Sequence, residues 1–260
     1  KGNHNSITSL PLSILGFDCE SDYGVLEMGA SKYGEIEKLC KIAKPDIGLI
    51  TNISKSHLDG YQDFNSLVTT KMALYESVKK NRGTFFLNLD DTNIRINDKY
   101  HDLITYSYSD NKSDYFADLA KIQDGSLAIN DVIFNVKFKS YTFAYNFLAS
   151  YSIASSLGVE NSNIINSLYS FSILKGRGDT IKKGDITIID DTYNANLASM
   201  KCGIENLEFK KNKGQNIVLI IGDMLDLGED SKDLHSELGK YISGLNFIDS
   251  VYCVGKESRF

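Results

Sequence analysis

Short apolar runs alternate with segments of helical period along most of this chain, and that alternation restricts the fold more than any other feature. YGVLEM (23–28) is a short apolar run and reads as a strand. Ile36, Leu39, Cys40 and Ala43 follow at i, i+3, i+4 and i+7, one face of an amphipathic helix, and Pro45 stops it. DIGLI (46–50) is a second strand. Strand, helix, strand predicts a parallel pair, because parallel strands need a crossover of about this length.

The next helix is predicted over about 63–79, where Phe64, Leu67, Val68, Leu74, Tyr75 and Val78 make an apolar stripe. TFFLNLDD (84–91) is a third strand with acids behind it. From about 103 to 138 the pattern shortens to LITYSY, YFADLAKI and VIFNVKF, with Gly125 and Asn130-Asp131 as turn signals. That predicts antiparallel strands or hairpins. Helices follow at about 143–157 and 161–170, and LKGRGD (174–179) is a polar, glycine-rich junction. Beyond it the alternation restarts. ITIID (186–190), NIVLIIG (216–222) and VYCVG (251–255) are strands. Helices between them are marked by Met200, Gly203, Ile204 and Leu207, and by Leu234, Leu238, Tyr241 and Leu245. This predicts a second α/β domain with three strands.

At 260 residues the chain can build one large domain or two ordinary ones. A net charge of −6 argues against a dedicated nucleic-acid binder. Cys19, Cys40, Cys202 and Cys253 form no CxxC pair, so neither a zinc site nor a disulfide framework is indicated, and they read as packing residues. A reducing cytoplasm is the simple location. No apolar run reaches membrane-spanning length. The chain opens at Lys1 without a methionine and ends just after a strand, so both ends read as those of a fragment.

Several residues could carry chemistry. Glu27 and His57 each lie at the carboxyl end of a predicted strand, the edge where open α/β sheets bind ligands. An acid and an imidazole there could ligate a metal, or they could be a capped loop acid and an exposed histidine. Lys71 sits inside the apolar stripe of its helix, four residues after Leu67 and three before Leu74. A buried unpaired ammonium is costly. Lys71 therefore snorkels to the surface, meets an anion, or is carbamylated into an anion with two oxygens. IIDDTYNAN (188–196) puts two acids and two asparagines directly after a strand. Such groups can accept from ribose hydroxyls and read an adenine edge, or can simply cap a helix. Arg177, between two glycines, suits phosphate oxygens. His235, in GDMLDLGEDSKDLH, reads as a partly exposed helix residue. No GxxxxGK[ST] loop, GxSxG or HExxH occurs in the chain.

EMGASKYGEIEKL, KPDIGLITNISKSHLDGY, Lys71, GRGD, IDDTYNAN and GDMLDLGEDS come in the order found in the Mur ligases, and the chain resembles that family from GNHNS to its last strand. The resemblance implies a central ATPase domain over 1–176, a parallel sheet with flanking helices and a small antiparallel portion. It also implies a Rossmann-like C-terminal domain over 177–260, and an N-terminal UDP-binding domain outside this chain. Within the family the motifs are most similar to the ligases that join D-alanyl-D-alanine to UDP-N-acetylmuramoyl-tripeptide through an acyl phosphate, with ATP and Mg²⁺. Such a protein makes peptidoglycan precursors in the cytoplasm, as a monomer, with no membrane or nucleic-acid partner. Carried over by motif, Glu27, His57 and carbamylated Lys71 bind Mg²⁺ and Arg177 contacts the transferring phosphate. Asp191 contacts the ribose, Asn146 and Asn194 the nucleotide region, and Asn5 belongs to the substrate grip.

The sequence departs from the family pattern at four places. The phosphate loop expected just upstream of GNHNS is outside the chain, so these residues alone are expected to bind ATP poorly and turn over nothing. Ser6 and Ser9 replace an asparagine and a glycine, Ala149 replaces a second asparagine after Asn146, and Leu197 replaces a proline. Two alternatives follow. One is another Mur ligase or a folylpolyglutamate-synthase-like ligase. The other is a catalytically inactive nucleotide-binding module.

Overall fold

The computed structural model describes residues 4–260 except 57, 98, 212 and 213, with the Phe209 side chain also left aside. The chain divides into two compact units, residues 1–116 and 117–260.

In the first unit, α1 (Leu10–Leu15) begins with Pro11 in its first turn, where a missing N–H costs nothing. The periodicity had not marked this short helix. α2 (Glu35–Ala43) buries Ile36, Leu39 and Cys40 and ends as expected before Pro45, with Lys44 in the left-handed region at φ 48°. Leu10 packs with these three residues in a small core. β1 (Ile47–Leu49) leads to α3 (Phe64–Lys80). Asp63 caps α3: its carboxylate accepts the Ser66 N–H, while the Ser66 hydroxyl lies 3.3 Å from the Asp63 N–H. β2 (Thr84–Asn88) and β3 (Leu103–Ser107) follow, and β1, β2 and β3 run parallel in that order. At the start of β2 a Cβ on Gly83 would stand 2.0 Å from the Asp46 carbonyl oxygen. Only glycine lets the strands close there. The main core lies between α3 and the sheet, with Val78 and Phe85 fully buried beside Leu67, Ile53 and Tyr75.

Two expectations change here. Residues 23–28 form no strand, and Val25 is 91% exposed. A strand is defined by its ladder, and the backbone tie of this stretch is Gly29 N–H to Asn5 C=O at 2.9 Å. LITYSY is parallel to β2 rather than part of a hairpin. Its sequence pattern carries no direction, which is set by the 89–102 connection with Ile94 buried in the core.

β4 (Tyr115–Asp118) passes from one unit to the next. Tyr115 and Phe116 pair parallel with β3, and Ala117 and Asp118 pair antiparallel with β5 (Ser126–Ile129). β5 and β6 (Val132–Asn135) form the expected antiparallel portion, although β5 itself was not marked by the sequence. Phe134 of β6 meets the rings of Phe147 and Tyr151 edge-on at 5.0 and 5.2 Å. Both rings belong to α4 (Tyr141–Ser156), which precedes α5 (Asn161–Ser170).

Then come β7 (Asp179–Lys183), β8 (Ile186–Asp190), α6 (Leu197–Lys210), β9 (Val218–Gly222), α7 (Ser231–Ser243) and β10 (Ser250–Val254). β8 was expected beside β9 and β10. It pairs instead with β7 as an antiparallel hairpin, and β9 and β10 pair parallel with each other. The β9 alternation buries Leu219 and Ile221 against Leu234, Leu238 and Ile242 of α7. His235 is 4% exposed, a correction to its expected partial exposure. Its Nε2 accepts the Met224 N–H and its Nδ1 donates to the Ser231 carbonyl, so both ring nitrogens are used. All four cysteines are free. Cys40 is buried and Cys202 half-buried, but Cys19 and Cys253 are exposed and so are not packing residues.

Asp223 follows β9 and accepts the N–H groups of Lys256, Glu257 and Ser258 at 2.9, 3.1 and 2.8 Å. These donors favour the carboxylate and push its pKa down to about 2 from 3.8. The stability it contributes is complete above the unfolded value and fades as pH falls through the folded one. Urea midpoints measured from pH 5 to pH 2 should therefore fall more steeply for the natural protein than for Asp223→Asn. Parallel profiles would mean that Asp223 is not coupled to folding.

Candidate active site

Lys71 is held as its position in the stripe implied. It lies on α3, half-buried, with Nζ 3.4 Å from the Asn52 carbonyl oxygen in the segment that leaves β1. Burial lowers its pKa from 10.5, and the carboxylate of Asp91 acts in the opposite direction. Burial thus makes the amine easier to deprotonate than a free lysine, and the neutral amine is the form that adds carbon dioxide. His57 comes eight residues after the end of β1 and lies outside the described residues.

Glu27 is exposed in the extended stretch before Gly29, and its Oε1 accepts from Asn5 Nδ2 at 3.0 Å. Asn5 therefore binds this stretch twice, through its side chain to Glu27 and its carbonyl to Gly29. A cavity of about 190 Å³ opens beside them, lined by Asn5, Ser6, Ile7, Gly29, Ser31 and Glu35. Ser6 and Ser9, the two departures here, hydrogen-bond to each other through their hydroxyls at 2.8 Å. Among the described residues no three His, Cys, Asp or Glu side chains converge on a metal-sized point. The donor chemistry nonetheless suits a hard cation: Glu27 offers carboxylate oxygens, and a carbamate on Lys71 would offer two more. As an amine, Lys71 is not a ligand.

A second cluster gathers in the other unit. Arg177 sits in the turn between α5 and β7, flanked by Gly176 and Gly178 at φ 76° and 81°. Gly176 N–H donates to Asp179 Oδ1, and Tyr193 N–H donates to the Gly176 carbonyl. Those bonds bring the turn against DDTYNAN, and the Arg177 guanidinium lies 4.0 Å from the centre of the Tyr193 ring. The same guanidinium acts electrostatically on Asp191. Desolvation raises its pKa, and Arg177 partly offsets that. A Cβ on Gly203 would stand 3.0 Å from Asp191 Oδ2, so the carboxylate rests against the α6 backbone. Lys210, further along α6, has its pKa lowered by burial, with Asp191 opposing.

Arg177, Asp191, Tyr193 and Lys210 thus form one electrostatic group. Tyr193 was legible inside DDTYNAN but passed over, and nothing in the sequence pointed to Lys210. Asn194 accepts the Ala195 N–H, a local bond. Asn196 caps α6 by accepting the Ser199 N–H. Asn146 is exposed on α4, and among the described residues its side chain has no hydrogen bond to this group. Ala149, the neighbouring departure, is buried at 6% exposure.

The first unit thus places the α3 lysine beside the segment that leaves β1, and Arg177 and Asp191 lie in the second unit. Residues 1–159 match the Mur ligase middle domain and residues 176–260 match the Mur ligase glutamate ligase domain, so the chain belongs to the Mur ligase family. The UDP-N-acetylmuramoyl-tripeptide–D-alanyl-D-alanine ligase of Buchnera aphidicola subsp. Baizongia pistaciae is 31% identical over 266 residues, covering 99% of this chain and 57% of its own. A crystal structure of MurF from Acinetobacter baumannii is similar at a TM-score of 0.88 and 27% identity, over 100% of this chain and 57% of that one. MurF ligase from Thermotoga maritima, solved in complex with ADP, is similar at 0.79 and 29%, over 100% and 60%. The chain therefore spans under two thirds of the length of these relatives. Among the described residues no helix is long and apolar enough to cross a membrane.

Proposed function

We propose that this chain is part of an ATP-dependent ligase that joins D-alanyl-D-alanine to UDP-N-acetylmuramoyl-tripeptide in the cytoplasm. One observation carries the reading: in a chain with both Mur ligase domains, Lys71 lies half-buried on α3 with its Nζ 3.4 Å from the Asn52 carbonyl in the segment leaving β1. In this reading the tripeptide carboxylate attacks the γ-phosphorus of ATP and ADP leaves. The D-alanyl-D-alanine amine then attacks the acyl phosphate, an amide forms, and inorganic phosphate departs.

Glu27, His57 and carbamylated Lys71 would hold Mg²⁺, which screens phosphate charge as the carboxylate approaches. Arg177 contacts the transferring phosphate from a stacked, pre-oriented position, and Asp191 accepts from ribose hydroxyls. Asn146 and Asn194 serve the nucleotide region, and Asn5, tied to Glu27, grips the tripeptide. The domain boundary falls in the 174–179 turn. No nucleic acid or membrane takes part, and the protein acts as a monomer.

The Ser6 and Ser9 departures favour a second reading, a nucleotide-binding module without turnover, because their hydroxyls bond each other where the family pattern has an asparagine and a glycine. ADP release by the complete gene product separates the two. The ligase reading expects release that depends on both UDP-N-acetylmuramoyl-tripeptide and D-alanyl-D-alanine, lowered about 10²- to 10³-fold in Arg177→Ala. ATP binding with no dependence on either substrate would favour the module.

A further inference from the structure

Beyond Leu49 the β1–β2 ladder stops, yet the next four carbonyls are each taken by a side chain. Ile50 accepts from the Tyr106 hydroxyl at 3.5 Å, Thr51 from Asn88 Nδ2 at 2.7 Å, Asn52 from Lys71 Nζ at 3.4 Å, and Ile53 from Asn93 Nδ2 at 2.9 Å. The Ile53 N–H donates to Asp91 Oδ2 at 2.6 Å, and the Asn93 N–H donates to Asp91 Oδ1 at 2.9 Å. Ile53 is 2% exposed, so its backbone groups have little recourse to water. Asn88, Asp91 and Asn93 all come from the LNLDDTN stretch at the end of β2. Side chains thus continue the β1–β2 pairing past its last backbone bond, along the segment that leads to His57.

Asp91 bridges the two segments through both carboxylate oxygens. Its two oxygens serve one N–H on each side, Ile53 and Asn93, and Asn93 returns a bond to the Ile53 carbonyl. Both polar groups of Ile53 are therefore clamped by a single Asx turn. The carbonyl that meets Lys71 Nζ is one residue away.

We propose that Asp91 is the positioning residue of the Lys71 site: by clamping Ile53 it fixes the 51–53 segment and so sets where Asn52 meets the lysine. Its catalytic consequence rests on the ligase reading above, whereas its structural part rests on these bonds alone. Asparagine at 91 offers one acceptor where two N–H groups each need one, so it restores half the clamp.

The test uses Asp91→Ala, Asp91→Asn and, as a control, Asp114→Ala in the complete gene product. Asp114 accepts the Thr105 N–H and hydroxyl at 2.7 Å each, a loop clamp of similar strength away from Lys71. Three quantities are read: kcat and KM for ATP, Mn²⁺ affinity by paramagnetic titration, and amide hydrogen exchange over residues 51–60. Asp91→Ala should lower kcat and Mn²⁺ affinity by about 10- to 100-fold, the usual effect of removing a group that orients ligands. KM for ATP should change little, exchange over 51–53 should rise, and Asp91→Asn should fall between. Asp114→Ala should move none of these. Natural Mn²⁺ affinity and natural protection of 51–53 in Asp91→Ala would overturn the proposal. If the natural protein shows no ligase turnover, the ligase reading falls, and exchange over 51–53 decides the positioning role by itself.

Discussion

Lys71→Ala should lower ADP release by about 10³-fold or more, and added bicarbonate should not restore it. The size of the effect follows from what leaves with the side chain. Lys71 is half-buried on α3 with its pKa lowered by burial, and a carbamate there would supply two oxygens for a cation. Lys71→Arg keeps charge and length but cannot form that carbamate, so it should be as inactive as alanine. In the natural protein supplied with ¹³C-bicarbonate, a carbamate resonance should grow as pH rises through the lowered lysine value, because only the neutral amine reacts. Normal turnover in either variant, or no such resonance, would remove the carbamate role.

Phe85→Ala should cost about 3–5 kcal/mol, the usual range for emptying a fully buried phenylalanine site. Phe85 is 0% exposed on β2, which lies between β1 and β3. Tyr75 of α3 meets its ring edge-on at 5.2 Å, and a Cβ on Gly48 of β1 would already stand 3.1 Å from it. The site is packed from both sides, so little can collapse into the void. The urea midpoint should fall with the slope unchanged. A loss under about 1 kcal/mol would mean that this core repacks.

Much of the fold was legible because local chemistry decided it. The apolar stripe and the Asp63–Ser66 capping box define α3 without reference to anything distant. DIGLI and TFFLN are short apolar runs bounded by turn residues, and they form the parallel pair β1–β2. Lys71 stood out because a cation inside a stripe contradicts its neighbours, and the structure keeps that contradiction as a half-buried amine. YGVLEM was misread for the complementary reason: an apolar run signals burial of some kind, and a strand exists only where another backbone pairs with it. The antiparallel reading of LITYSY failed likewise, since alternation carries no direction. His235 looked like a surface residue because helical period says nothing of the Met224 N–H that approaches from the loop after β9.

The sequence by itself determined where most of the helices lie, most of the strands, the order of the motifs, that Lys71 falls within the stripe of α3, and that Arg177 and Asp191 lie in turns beside strands. Tertiary structure alone decided which of them meet. Arg177 stacks on Tyr193, and acts electrostatically on Asp191, with the Gly176 turn hydrogen-bonded back to Tyr193. Lys210 joins them from α6, and Asp91 reaches Ile53 across the end of the sheet. The physical reason is range. Propensity, capping and periodicity act over a few residues and are written locally, whereas a hydrogen bond between residues 53 and 91 exists only after the chain between them has folded back.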